Sequence, residues 1–269
     1  MLAWTIANQK GGVGKTTTTV ALGGLCAEQG RRVLLLDLDP HGSLSSYFRF
    51  DPDTVENSTF TLFHERQSLT PELARSCVVK TKFDNLDLIP ASLALATLER
   101  QAINQDGMGL VISRAVSMLR EDYDIALIDC PPVLGVLMIN ALAACQQLII
   151  PVQTEFLALK GLERMTQTLQ MMTKSRKQPL SYTIVPTMFD RRTQASISSL
   201  RSIRNAYGDR VWPGKVPVDT KLRDASKAGV PPHLFQPVGR AVDAYRSLLK
   251  WQLSRGLANV RREAERAAS

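Results

Sequence analysis

The segment KGGVGKTT, residues 10–17, constrains this chain more than any other feature, because it lies directly between an apolar run at 3–7 and a run compatible with a helix. Glycines at 11, 12 and 14 let the backbone turn tightly and aim successive N–H groups at one point. The N-terminus of the following helix adds the positive end of its dipole. Such a loop is built for phosphate, with Gly11, Gly12, Val13 and Gly14 as its cradle. Lys15 then reaches the β and γ phosphates of a nucleoside triphosphate, the Thr16 hydroxyl ligates Mg²⁺, and Thr17 is placed against the α phosphate. The general pattern is G-x-x-x-x-G-K-[ST]. Gln9 stands where its first glycine would be, so the loop is a variant form.

A loop of this kind needs a strand-loop-helix frame, and the rest of the chain supplies more of the same alternation. Short apolar runs at 33–36, 86–89, 125–128, 148–152 and 182–185 read as further strands, each apolar nearly throughout, as a strand covered on both faces should be. Helical patterns fill the gaps. At 158–172, Leu162, Met165, Leu169 and Met172 mark one buried stripe. A final helix is expected over 241–268, with Val242, Tyr245, Leu248, Leu249 and Leu253 on one side. The expected fold is therefore α/β: a single-domain P-loop NTPase fold with a mostly parallel central sheet and helices on both faces. Residues 51–82 are the least periodic and most polar, and no element is assigned there.

Composition narrows the function classes. The 269 residues are 44% hydrophobic and 22% charged, enough for a full core. The four cysteines (26, 77, 130, 145) form no C-x-x-C pair and the three histidines (41, 64, 233) are far apart, so neither disulfides nor a zinc site are expected. Residues 1–10 read as no signal peptide, and the longest apolar stretch, 133–145, is too short to span a membrane; a cytoplasmic location is expected. The net charge of +8 is unevenly placed. Residues 1–173 carry 14 Lys and Arg against 18 Asp and Glu, whereas 174–269 carry 19 against 7. The last third is a basic surface, of a sign suited to nucleic acid, an acidic protein or anionic lipid.

Carboxylates stand where a nucleotide loop would use them. Asp129 follows the run 125–128 and precedes Pro131 and Pro132, the place for an aspartate holding Mg²⁺ through water. Asp37 and Asp39 follow the run 33–36, at the carboxyl edge of the sheet where ligands bind in open α/β folds.

NQKGGVGKTT, DLDPHGS (37–43), IDCPP (128–132), PVQTEFLALKGL (151–162), PTMFDRRT (186–193) and VPVDTKLRDASKAG (216–229) together resemble the ParA/MinD group of deviant Walker ATPases, and specifically its ParA side. The resemblance runs from about residue 3 to about 250. It implies an ATPase, with ATP and Mg²⁺ as cofactors, in a domain over 1–255 followed by a basic tail at 256–269. It also implies a homodimer that forms on ATP binding, with Lys10 crossing to the partner's phosphates. Asp39 matches the family's aspartate that positions the attacking water, and Asp37 the one near Mg²⁺. Lys10, Lys15 and Asp39 are thus the implied catalytic residues, and Thr16, Asp37 and Asp129 the implied metal set. The blocks at 186–190 and 216–222 flank adenine in relatives, which points to Pro217 and Asp219. Turnover is expected to be slow and stimulated by a protein activator or adaptor.

Three branches follow from the same resemblance. One partitions chromosomes or plasmids by binding nonspecific DNA. The +12 of residues 174–269 suits it, but Val218 and Asp219 stand where DNA-partitioning members carry arginine and asparagine. A second positions a protein cargo at a cell pole: His41 in place of the usual glutamine, the 216–226 block and KGLERM (160–165) resemble the chemotaxis-associated ParA-like proteins called ParC. A pole landmark or chemotaxis adaptor would be its partner. The third is MinD-like, with Lys250, Arg255, Arg261, Arg262 and Arg266 on anionic lipid while Leu253, Leu257 and Val260 insert. Its apolar face ends at alanines 264, 267 and 268, too thin for an anchor, so membrane binding is not expected. An iron–sulfur enzyme is not expected either, since Cys130 has no second cysteine spaced to complete a cluster.

Overall fold

The computed structural model describes residues 1–101, 107–172 and 180–268, with the side chain of Met172 and those from 256 onward outside the description. Five strands with wholly or almost wholly apolar interiors stack in parallel because both of their faces are covered: β1 (Leu2–Ile6), β2 (Val33–Asp37), β4 (Leu86–Ile89), β5 (Ile125–Asp129) and β6 (Gln147–Gln153). A further parallel strand, β7 (Ser181–Thr187), closes one edge, and β3 (Val79–Lys80) closes the other as the only antiparallel neighbour among the described strands. The order across the sheet is β3-β4-β2-β5-β1-β6-β7.

Alternation along each strand divides the core in two. Leu34 and Leu36 of β2 and Ala126 and Ile128 of β5 point to one face, while Val33, Leu35, Ile125 and Leu127 point to the other. The first face is covered by α3 (Thr59–His64), α5 (Ala94–Gln101), α6 (Val111–Met118), α7 (Val136–Ala144) and α8 (Ala158–Met172). The second is covered by α1 (Lys15–Glu28), α2 (Ser43–Tyr47) and α12 (Arg240–Ala268). Helix α1 lies so close to the sheet that a Cβ on Gly23 would sit 2.8 Å from Leu35 Cδ2, which is why glycine occupies that turn. α12 is bound to α1 by Tyr245, whose hydroxyl lies 3.1 Å from Thr18 Oγ1. It is also tied to the sheet, where the Gln252 amide oxygen accepts from Gln147 Nε2.

The six sequence-expected strands are all present, with edges displaced by up to two residues. β1 runs from Leu2 to Ile6, and the Ala7 N–H carries the ladder one bond further, donating to Ile149 O at 3.1 Å at the base of the loop. α8 has the expected bounds, and Leu162, Met165 and Leu169 are buried. α12 begins one residue before the expected 241 and continues to Ala268. Residues 51–82 hold elements that periodicity does not reveal: α3, α4 (Pro71–Ser76) and β3. Both helices are defined by their caps instead. Ser58 and Thr61 form a reciprocal capping box, and Thr70 caps a helix opened by Pro71. α9 (Gln194–Tyr207) packs beside α8, while α10 (Thr220–Ala228) packs on α11 (Pro232–Phe235) and α11 lies against α1, where a Cβ on Gly24 would sit 2.5 Å from His233 Cε1. Among the described residues no helix is long and apolar enough to cross a membrane.

Candidate nucleotide site

The glycine loop occupies the C-terminal end of the sheet between β1 and α1. Gly14 has φ +94°, a left-handed conformation that a side chain would strain, and it releases α1 to begin at Lys15. Side chains distant in sequence pin the loop from outside. Asn8 Nδ2 donates to Pro151 O at 2.7 Å, its Oδ1 accepts from Lys10 N at 3.0 Å, and Thr187 Oγ1 at the end of β7 donates to Val13 O at 2.9 Å. Gln9, in the place of the missing first glycine, donates to Thr168 Oγ1 of α8 at 3.2 Å. Lys15 folds back over the loop, its Nζ 3.3 Å from Lys10 O. Lys10 is exposed and ion-paired with Glu155, beside Phe156, which is 90% exposed.

Two buried aspartates face this loop from adjoining strand ends. Asp129 accepts from Thr16 Oγ1 at 2.6 Å and from Thr19 Oγ1 at 3.2 Å. Burial pushes its carboxyl up to about 8, helped by the neighbouring Asp37 charge and opposed by the Thr16 hydrogen bond and Lys15. Asp37, paired in register with Asp129, accepts from both the amide and the hydroxyl of Ser45 at 2.8 Å. Burial raises it to about 6, with those hydrogen bonds pulling the other way. Asp39 is nine-tenths buried and sits just beyond, where its Oδ1 accepts from His41 N at 3.0 Å. No three acidic, histidine or cysteine groups among the described residues form a cage for a metal by themselves. An oxygen set of this size instead suits Mg²⁺, which keeps most of its waters and takes one or two carboxylates together with phosphate oxygens.

The expected base-flanking segments meet at the end of β7. Phe189 pairs with Pro217, its N–H donating to Val216 O at 3.0 Å and its carbonyl accepting from Val218 N at 3.0 Å. A cleft of about 500 Å³ opens there, lined by Phe189, Arg191, Lys215, Pro217, Val218 and Arg240. Asp219 lies at the start of α10 and is committed to capping it, accepting from Lys221 N at 3.0 Å. Cys130 is fully buried and its thiol is pushed well up by burial, so it packs as a small apolar group.

The structure therefore brings Lys10, Gly11, Gly12, Val13, Gly14, Lys15, Thr16 and Thr17 together with Asp37, Asp39 and Asp129, and places Pro217 and Asp219 on the segment packed against the end of β7. Sequence reasoning missed the supports: Asn8, Thr19, Ser45, Glu155 and Thr187. Of these only Asn8 and Thr19 are close enough to the loop in sequence for the motif itself to have drawn attention to them.

Comparison with known proteins places this geometry in context. A family model described as an AAA domain matches residues 2–182. The sporulation initiation inhibitor protein Soj of Bacillus subtilis is 35% identical over 246 residues, covering 91% of this chain and 95% of Soj. The chromosome partitioning protein ParA of Myxococcus xanthus is 33% identical, over 90% of this chain and 84% of its own. Among solved structures, cobyrinic acid a,c-diamide synthase from Mycobacterium smegmatis, bound to an ATP analogue and magnesium, superposes with a TM-score of 0.79 at 31% identity, covering 94% of each chain.

Proposed function

The chain belongs to the AAA-domain family matched over residues 2–182 and, with its Soj and ParA relatives, to the ParA-type P-loop ATPases; on that premise we propose that it is an ATP-driven spatial switch that positions a cellular cargo. The observation that carries the reading is the presence of two lysines on one glycine loop, Lys15 folded inward and Lys10 facing out, above Asp37, Asp39 and Asp129. Lys15 and the loop amides hold the β and γ phosphates, with Thr17 at the α phosphate. Thr16, Asp37 and Asp129 hold Mg²⁺, which when bound neutralises charge on the phosphate oxygens. Asp39 orients the attacking water. Pro217 and Asp219 flank the base.

Lys10 acts on a second copy. An outward lysine beside the exposed Phe156 and Leu157 is suited to a subunit interface, because exposed apolar groups clustered at a charged site favour association. In the separate subunit Lys10 is engaged with Glu155. Binding of ATP to a partner offers it a γ phosphate instead, which couples the nucleotide to dimerisation, and hydrolysis removes that attraction. Turnover is slow until a protein activator docks.

The cargo we infer is a chemotaxis array at a cell pole, on the basis of His41, the 160–165 segment and the Val218-Asp219 pair. The second reading is partition on nonspecific DNA. The exposed cations Lys221, Arg223 and Lys227 of α10, with Lys215 and Arg240 on the cleft at the end of β7, favour it. One experiment separates the two: anisotropy of random-sequence duplex DNA with the Asp39→Ala protein, in ATP, ADP and no nucleotide, across a salt series. ATP-dependent binding that falls steeply with salt supports partition. ATP-dependent dimerisation without DNA binding supports the polar reading, and neither response with ATP overturns the switch.

A further inference from the structure

The turn after β2 places a histidine on the carboxylate assigned to the attacking water. Asp39, Pro40, His41 and Gly42 form a tight turn closed by Gly42 N donating to Asp39 O at 2.8 Å. Gly42 has φ +60°, and a Cβ there would sit 2.1 Å from Pro52 Cγ, so the turn is held in one shape from both sides. That shape sets His41 Nδ1 2.9 Å from Asp39 Oδ1, the same oxygen that accepts from the His41 backbone N–H. A carboxylate can only accept, so Nδ1 is the protonated nitrogen. Two donors thus converge on Oδ1. Oδ2 makes no hydrogen bond among the described residues, and Asp39 lines a cleft of about 660 Å³ together with His41, Glu99 and Arg100.

We propose that His41 is a positioning residue for ATP hydrolysis: its ring N–H locks the Asp39 carboxyl in one rotamer and so dedicates Oδ2 to the water. The inference rests on the reading of Asp39 given above. A carboxylate free to rotate offers the water either oxygen over a range of angles, whereas one held by a charge-assisted hydrogen bond offers one oxygen in one direction. His41 touches neither phosphate nor metal in this assignment, so its effect falls on kcat and not on nucleotide affinity. Its side chain is 84% exposed, so replacing it leaves the core intact. The other charged groups on this cleft are Glu99, whose carboxyl is raised by burial and by the Asp39 charge, and Arg100.

The test is steady-state ATP hydrolysis by the full chain, with ATP affinity measured separately by a fluorescent ATP analogue, for the native protein, His41→Ala, His41→Phe and His41→Gln, with Asp39→Ala and Lys15→Ala as references. Loss of a hydrogen bond to a charged group lowers kcat by about tenfold in His41→Ala and His41→Phe. ATP affinity stays within about twofold, and His41→Gln, whose amide can donate to the same oxygen, recovers most of the lost rate. Native kcat in His41→Ala, or a loss in His41→Gln as deep as in His41→Ala, overturns the proposal while leaving the ATPase reading in place, provided Asp39→Ala is slow. An unaltered rate in Asp39→Ala, or unaltered ATP affinity in Lys15→Ala, overturns the underlying reading and this one with it.

Discussion

Asp124 and Asp129 stand at the two ends of the same strand and have opposite environments. Asp124 lies just outside β5, at the surface, where Arg32 grips it through Nη2 on one oxygen and through Nε and the backbone N–H on the other, at 2.8 to 3.3 Å. Those bonds hold its carboxyl down at about 2. Asp129 is buried beside a second carboxylate and near Lys15, with hydroxyls as its hydrogen-bond partners, and its carboxyl rises to about 8. Asp37 resembles Asp129. The lower edge of the sheet satisfies its charges within the chain. The upper edge gathers carboxyls whose charge the chain alone compensates poorly, which is costly for folding and suited to binding Mg²⁺ with a nucleotide.

The contrast breaks most completely if the single lysine folded over the upper edge is lost. Lys15→Ala raises the dissociation constant for ATP by about a hundredfold or more, as calorimetry or a fluorescent analogue will show, because the principal phosphate cation is gone. An affinity close to native would end the assignment of this edge.

A finer test uses pH. Asp129 binds its proton more tightly in the nucleotide-free folded protein, at about 8, than in the unfolded chain, near 3.8, and Asp37 does so to about 6. The folded state then carries more protons between those limits, so these two groups make stability fall as pH rises from about 4 towards 8, on the order of 1 kcal/mol per pH unit for one proton. Asp129→Asn flattens that slope in denaturant titrations between pH 5 and 8 without Mg²⁺ or nucleotide. At the lower edge the sign reverses. What Asp124 contributes is present above its ordinary value and disappears as pH falls through about 2. The pair is exposed and screened, so Asp124→Ala lowers the melting temperature by no more than about 2 °C at neutral pH and leaves ATP affinity unchanged. A larger loss would mean that the two ends are not divided as described.

What was legible in the sequence follows the same division of distance. The strands announced themselves because each is covered on both faces and reads as a nearly continuous apolar run, and the loop because glycine and lysine spacing is local. α3 and α4 were invisible to periodicity because six residues hold less than two turns, although Ser58 with Thr61 and Thr70 with Pro71 carried the capping signal. β3 is two residues long and exists through its pairing with β4. Within the site, the loop and the three aspartates could be found by motif. Thr187 and Glu155 could not, since their partners Val13 and Lys10 lie far away in the chain and only tertiary structure brings them together. Asp219 shows a different limit: a residue matched by position in a block is held by a local duty, the cap of α10.

The bond between Thr18 and Tyr245 has a consequence for synthesis. The loop at residues 10–17 is made before β5 and β6, the neighbours of β1, and before Tyr245, Leu248 and Leu249, which complete the cover of α1. A motif made before most of the sheet is among the last to be completed. A nascent chain therefore completes the surroundings of its nucleotide loop only after nearly the whole of the sheet and the first turns of the final helix have emerged.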